Sequence, residues 1–95
     1  MTRVLIYDDS APRRESLQTF LHLTPDFDCA GAISNCSTIL EDIRQLKPDL
    51  ILMDIEMPEK DGIEGVRMAK QSFPAIRIIM QTAYDDDDKV FAALQ

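Results

Sequence analysis

The chain has 95 residues, too few for two hydrophobic cores and enough for one domain that buries about two-thirds of its unfolded surface. Seventeen Asp and Glu against ten Lys and Arg give a net charge of −7, which excludes direct nucleic-acid binding by this domain and attraction to anionic membranes, and suits a cation or a soluble partner. Cys29 and Cys36 form neither a C-x-x-C pair nor a metal-ligand spacing. With no signal peptide and no 18-residue apolar run, a reducing cytoplasm is the expected location.

Hydrophobic periodicity switches repeatedly between short apolar runs and helical stripes, in the order βαβαβαβα. Val4-Leu5-Ile6-Tyr7 reads as a strand that ends in Asp8-Asp9. Ser10 then caps a helix with Pro12 in its first turn and Leu17, Phe20 and Leu21 on one apolar face. Pro25 follows the helix. Residues 27–32 form a second strand, and Ser34 and Asn35 offer caps for a helix lined by Ile39, Leu40, Ile43 and Leu46. Leu50-Ile51-Leu52-Met53 is a third strand, ending in Asp54-Ile55-Glu56-Met57-Pro58. Asp61 and Gly62 read as a turn, and Ile63, Val66, Ala69 and Phe73 line a third helix that stops near Pro74. A fourth strand, Ile76-Arg77-Ile78-Ile79-Met80, ends in Gln81-Thr82, and a fourth helix starts at Asp85 with Val90, Phe91 and Leu94 buried. Strands separated by helices of this length imply parallel βαβ units with right-handed crossovers and helices on both faces, a doubly wound α/β sheet.

Parallel strands bring their carboxyl ends together, so Asp8, Asp9 and Asp54 converge on the edge where open α/β sheets bind ligands. Three carboxylates so close either raise one another's pKa or demand a cation, and an all-oxygen cluster suits Mg²⁺ better than zinc or copper. With its charge screened, Asp54 becomes a nucleophile toward a phosphoryl group, and Thr82 at the next strand end is placed to hydrogen-bond a phosphoryl oxygen. Asp49 belongs to the opposite end of the third strand and falls outside this site. His22, the single histidine, faces solvent on the first helix. The run Asp85-Asp86-Asp87-Asp88-Lys89 matches an enteropeptidase cleavage site but reads most simply as a solvated acidic helix start.

Taken in order, Asp8-Asp9, Met53-Asp54-Ile55-Glu56-Met57-Pro58, Asp61-Gly62 and Thr82-Ala83 resemble a response regulator receiver domain, the CheY-like phosphoacceptor module of bacterial two-component signalling. The resemblance implies a flavodoxin-like fold with strand order 2-1-3-4, here with four strands and four helices over residues 1–95. It implies Asp54 as phosphoacceptor, with Asp8, Asp9, Asp54 and the main-chain carbonyl of Glu56 as Mg²⁺ ligands and Thr82 as the switch hydroxyl. It further implies a histidine kinase or phosphotransfer protein as donor, and self-modification rather than turnover. Residues 82–94 resemble receivers of the NarL or LuxR type, which implies a C-terminal DNA-binding output domain in a longer parent chain and a role in transcription.

The family has five strands and five helices, and this sequence stops in the fourth helix, so the reading is of a receiver domain incomplete at its C-terminus. The family's strand-five lysine has no positional substitute among Lys47, Lys60, Lys70 and Lys89. An exposed fourth-strand edge then favours homo-oligomers or strand exchange. Two other readings remain: a phosphorylation-independent dimerisation or docking module, and a Mg²⁺-dependent phosphatase of the haloacid dehalogenase type, which would need an Asp where Glu56 stands.

Overall fold

In the computed structural model, which describes residues 1–55, 57 and 62–81, the apolar runs become parallel strands and the amphipathic stretches become helices. The order is β1 (Thr2–Tyr7), α1 (Ala11–Leu23), β2 (Phe27–Ile33), α2 (Ile39–Leu46), β3 (Leu50–Asp54), α3 (Gly62–Ser72) and β4 (Arg77–Gln81). The sheet order is β2-β1-β3-β4, with all three strand pairs parallel. The flavodoxin-like topology expected from the sequence is therefore present, with three helices among the described residues. The expected fourth helix, with Val90, Phe91 and Leu94, lies outside them.

The chain steps outward from β1 to β2 and then back across to β3, so the strand order reverses between β1 and β3. A crevice outside the carboxyl ends of these two strands is the usual consequence. The central strands are covered on both faces, with Val4 to Tyr7 of β1 and Ile51, Met53 and Asp54 of β3 buried, which is why their sequences are apolar runs rather than alternating. Leu5, Tyr7, Ile51 and Met53 pack with Ile39, Ile43 and Ala69 under α2 and α3. Val4 and Ile6 pack with Leu21 on the α1 side, joined by Leu17, Leu50 and Leu52.

The helix ends follow local chemistry. Ser10 is the N-cap of α1, its hydroxyl accepting from the Arg13 N–H at 3.4 Å, with Pro12 in the first turn as expected. Lys47 closes α2 in the left-handed conformation, φ 49°, just before Pro48. At the amino-terminal edge of the sheet, the Asp49 carboxylate accepts from the Arg3 N–H at 2.8 Å. Arg3 also donates through its guanidinium to the Leu46 carbonyl, at 2.8 and 3.2 Å. Asp49 thus ties strand starts together, away from the opposite edge.

Four local expectations are corrected. Ser34 and Asn35 do not cap α2: the helix begins after Thr38, which makes no side-chain cap bond. The Asn35 side chain accepts instead from the Ser37 N–H at 3.0 Å and its hydroxyl at 2.5 Å, because a short amide side chain stabilises its own turn as readily as a helix start. Phe20 is 65% exposed while Leu21 is buried; it lies about 100° round the helix from Leu21 and misses the sheet. Ile63 is 63% exposed, and Gly62 is the first residue of α3 rather than a turn. Val66 and Ala69 of α3 and Phe73 just after it pack on the core as expected, and the fully buried positions of α3 are Gly62, Gly65 and Ala69, small residues that let it approach the sheet and α2. A pattern of large apolar residues does not register such glycines.

Candidate functional site

Side chains alternate along a strand, and this alternation builds the site. Val4 and Ile6 of β1 and Leu50 and Leu52 of β3 share the α1 side of the sheet. Tyr7 pairs in register with Met53, so the next residue on each chain, Asp8 and Asp54, follows on that same side at the carboxyl edge. Asp8 is 0% exposed and Asp54 1%. Asp9, one residue on, is exposed and forms the mouth. One carboxylate oxygen from each of Asp8, Asp9 and Asp54 lies within 4.8 Å of the others, so three of the expected ligands come together.

Asp8 is held by its neighbours. Its Oδ1 accepts from the Ser10 N–H at 2.9 Å, its own N–H donates to the Ile33 carbonyl at 3.1 Å, and its carbonyl accepts from Arg14 at 2.8 Å. Oδ2 is buried and accepts no hydrogen bond. Facing it at 3.4 Å is Nη1 of Arg13, also buried and making no hydrogen bond, and 4.0 Å from Asp54 Oδ2. Among the described residues two guanidinia reach this cluster of three carboxylates, Arg13 at the carboxylates and Arg14 at the Asp8 carbonyl, and two of the three acids lie below the surface. A buried carboxylate oxygen without a donor in an all-oxygen cluster fits a hard divalent cation of the Mg²⁺ type.

β3 and β4 carry the crevice wall onward: Asp54 pairs with Gln81, and the Ile55 N–H donates to the Gln81 carbonyl at 2.8 Å. Glu56 and Thr82, the remaining expected site residues, and Asp61 lie outside the described residues.

Two further residues, Gly62 and Arg13, bear directly on the site, Tyr7 fixes the strand that leads into it from the opposite face, and none was singled out for this role by sequence reasoning. Gly62 sits against the strand end, its N–H donating to the Ile55 carbonyl at 3.0 Å. A Cβ there would stand 2.0 Å from the Asp54 carbonyl oxygen. Tyr7, adjacent to Asp8, donates its hydroxyl to Asp42 Oδ2 at 2.7 Å. Burial and this carboxylate push its phenol well above the usual range. Arg13 lies in the first turn of α1, a turn with two arginines and no acid. That composition opposes the helix macrodipole, and this opposition is the signal that could have directed attention to an acidic partner.

Comparison with known proteins agrees with this fold. Residues 4–95 match the response regulator receiver domain family. The chain is 39% identical over 93 residues to the uncharacterized transcriptional regulatory protein YhcZ of Bacillus subtilis, covering 98% of this chain and 44% of that protein. It is 36% identical over 92 residues to the response regulator protein VraR of Staphylococcus saprophyticus, covering 97% and 44% respectively. Among solved structures, the signal receiver domain of the regulator NarL from Mycobacterium tuberculosis superposes with a TM-score of 0.82 at 29% identity, over 99% of this chain and 76% of that one. The chain thus spans less than half the length of the curated relatives it matches. A parallel 2-1-3-4 sheet, an acidic triad at its switch point and a match from Val4 onward lead to one conclusion: this chain belongs to the response regulator receiver domain family.

Proposed function

We propose that the domain accepts a phosphoryl group on Asp54 from the phosphohistidine of a histidine kinase or phosphotransfer protein. The observation that carries this reading is the convergence of Asp8, Asp9 and Asp54, two of them buried, on the carboxyl edge of the sheet. In the transfer, an Asp54 carboxylate oxygen bonds to phosphorus as the donor's P–N bond breaks. The donor imidazole leaves with that electron pair and takes a proton from solvent. The acceptor side chain enters at the end of a rigid strand, which fixes its direction of attack. Asp8, Asp9 and Asp54 would hold the cation, together with the Glu56 carbonyl that the family resemblance implies, and the Thr82 hydroxyl implied by the same resemblance would donate to a phosphoryl oxygen. Mg²⁺, when bound, supplies neutralisation of the transferred oxygens.

For the longer protein, the same reading assigns a cytoplasmic regulator whose phosphorylated receiver acts on a DNA-binding output domain. This rests on the transcriptional relatives rather than on the geometry. Among the described residues β4 pairs with β3 alone, and self-association through its outer edge is tested by sedimentation velocity. A strict monomer at high concentration removes that expectation.

Intact mass after incubation with acetyl phosphate, with and without Mg²⁺, tests the central reading. One Mg²⁺-dependent phosphoryl group is expected on the native chain and none on Asp54→Asn. No gain on a folded sample would leave a docking module with the receiver shape but without its chemistry.

A further inference from the structure

We infer that Arg13 is a built-in counter-ion of the acidic pocket, and that a divalent cation binds only by displacing its guanidinium. This rests on the assignment of Asp8, Asp9 and Asp54 as the cation ligands and adds a residue that competes with the cation.

The geometry is specific. Nη1 of Arg13 lies between the two buried carboxylates, 3.4 Å from Asp8 Oδ2 and 4.0 Å from Asp54 Oδ2. Both Nη1 and Asp8 Oδ2 are buried and neither makes a hydrogen bond. The guanidinium is therefore held by charge alone, without the short forked contacts that lock an arginine onto a carboxylate. The oxygens it neutralises are the ones a hard cation would use, and Mg²⁺ binds carboxylate oxygen at about 2.0–2.1 Å. Two positive centres cannot share that space without strong repulsion. The Arg13 side chain is 35% exposed, so an outward path to water exists.

The helix explains how this is tolerated. A cation in the first turn of α1 opposes the macrodipole, and the neighbouring Arg14 is already committed to the Asp8 carbonyl at 2.8 Å. Arg13 is offset only by the carboxylates. When a divalent cation takes over that neutralisation, the guanidinium loses its reason to stay. Cation affinity and the charge at position 13 are thereby linked.

The test is Mn²⁺ binding followed by the electron paramagnetic resonance of the free ion, at low ionic strength, on the native chain, Arg13→Gln and Arg13→Lys. Thermal unfolding is measured alongside in chelator and in saturating Mg²⁺. Removing a charge a few ångströms from the cation should tighten Mn²⁺ binding by about threefold to tenfold in Arg13→Gln, the effect being limited by the partial exposure of the guanidinium. Arg13→Lys, which keeps the charge, should remain within about twofold of the native chain. Arg13→Gln should melt below the native chain in chelator, with the gap closing in Mg²⁺. Equal or weaker Mn²⁺ binding in Arg13→Gln would overturn the inference while leaving the pocket as a cation site. Absence of Mn²⁺ binding in all three chains would overturn both.

Discussion

Tyr7 stands at the end of β1 beside Asp8, yet its side chain points to the opposite face of the sheet and carries its hydroxyl to Asp42 on α2. Asp42 also receives the Thr38 hydroxyl at 3.1 Å, so the carboxylate keeps a partner if Tyr7 is removed. Tyr7→Phe should therefore cost only about 1–2 kcal/mol at neutral pH, read by urea unfolding. The pH dependence has a definite sign. Burial first, and then the Asp42 carboxylate, raises the phenol above its ordinary value of 10. The unfolded chain loses this proton near that pH while the folded chain keeps it. The contribution of Tyr7 is complete below pH 10 and declines above it, by up to about 1.4 kcal/mol per pH unit. The advantage of the native chain over Tyr7→Phe should shrink and then reverse in alkali; a difference independent of pH would contradict the buried phenol.

At the scale of elements, the approach of α3 to β3 sets the position of Asp54. A Cβ at Gly62 would meet the Asp54 carbonyl oxygen at 2.0 Å and the Ile55 Cα at 3.0 Å, both backbone atoms that cannot swing aside. At Gly65 the nearest obstacle is the Cys36 side chain at 2.9 Å, which can shift. Gly62→Ala should destabilise by about 3 kcal/mol or more, and Gly65→Ala by about 1–2 kcal/mol. Only the first should also weaken cation binding, because it alone moves the strand end that bears Asp54. Comparable losses of cation affinity in both would show that α3 acts through general loosening. Much of this element-level picture was legible in advance. The strands, the Ser10 cap and the stop before Pro48 are local effects of side-chain period and capping. Val66 and Ala69 of α3 and Phe73 just after it pack on the core as expected, but the part played by Gly62 and Gly65 was not legible, since glycine marks a turn and a tight helix contact equally well and only the neighbouring strand distinguishes them.

Over the whole molecule, a net charge of −7 and a buried acidic pocket make cation binding a folding term. Any cation that binds the native state alone stabilises it by about 2.7 kcal/mol at one hundred times its dissociation constant. Mg²⁺ should raise the unfolding midpoint, chelator should reverse the gain, and Asp9→Asn should diminish it. Added monovalent salt should weaken the effect by screening the acidic surface. Absence of any Mg²⁺-dependent stabilisation would count against the pocket as a cation site.

Residue pattern alone was enough for the order of elements from β1 to β4, the parallel α/β class and the acidic ends of β1 and β3. Each depends on residue periodicity or on the rule that parallel strands finish at one edge. The tertiary structure decided that Asp8 and Asp54 are buried on the α1 side while Asp9 stays at the mouth, that Arg13 lies between the two buried carboxylates, and that Gly62 must lack a side chain. These depend on distances between residues far apart in the chain, which periodicity does not encode.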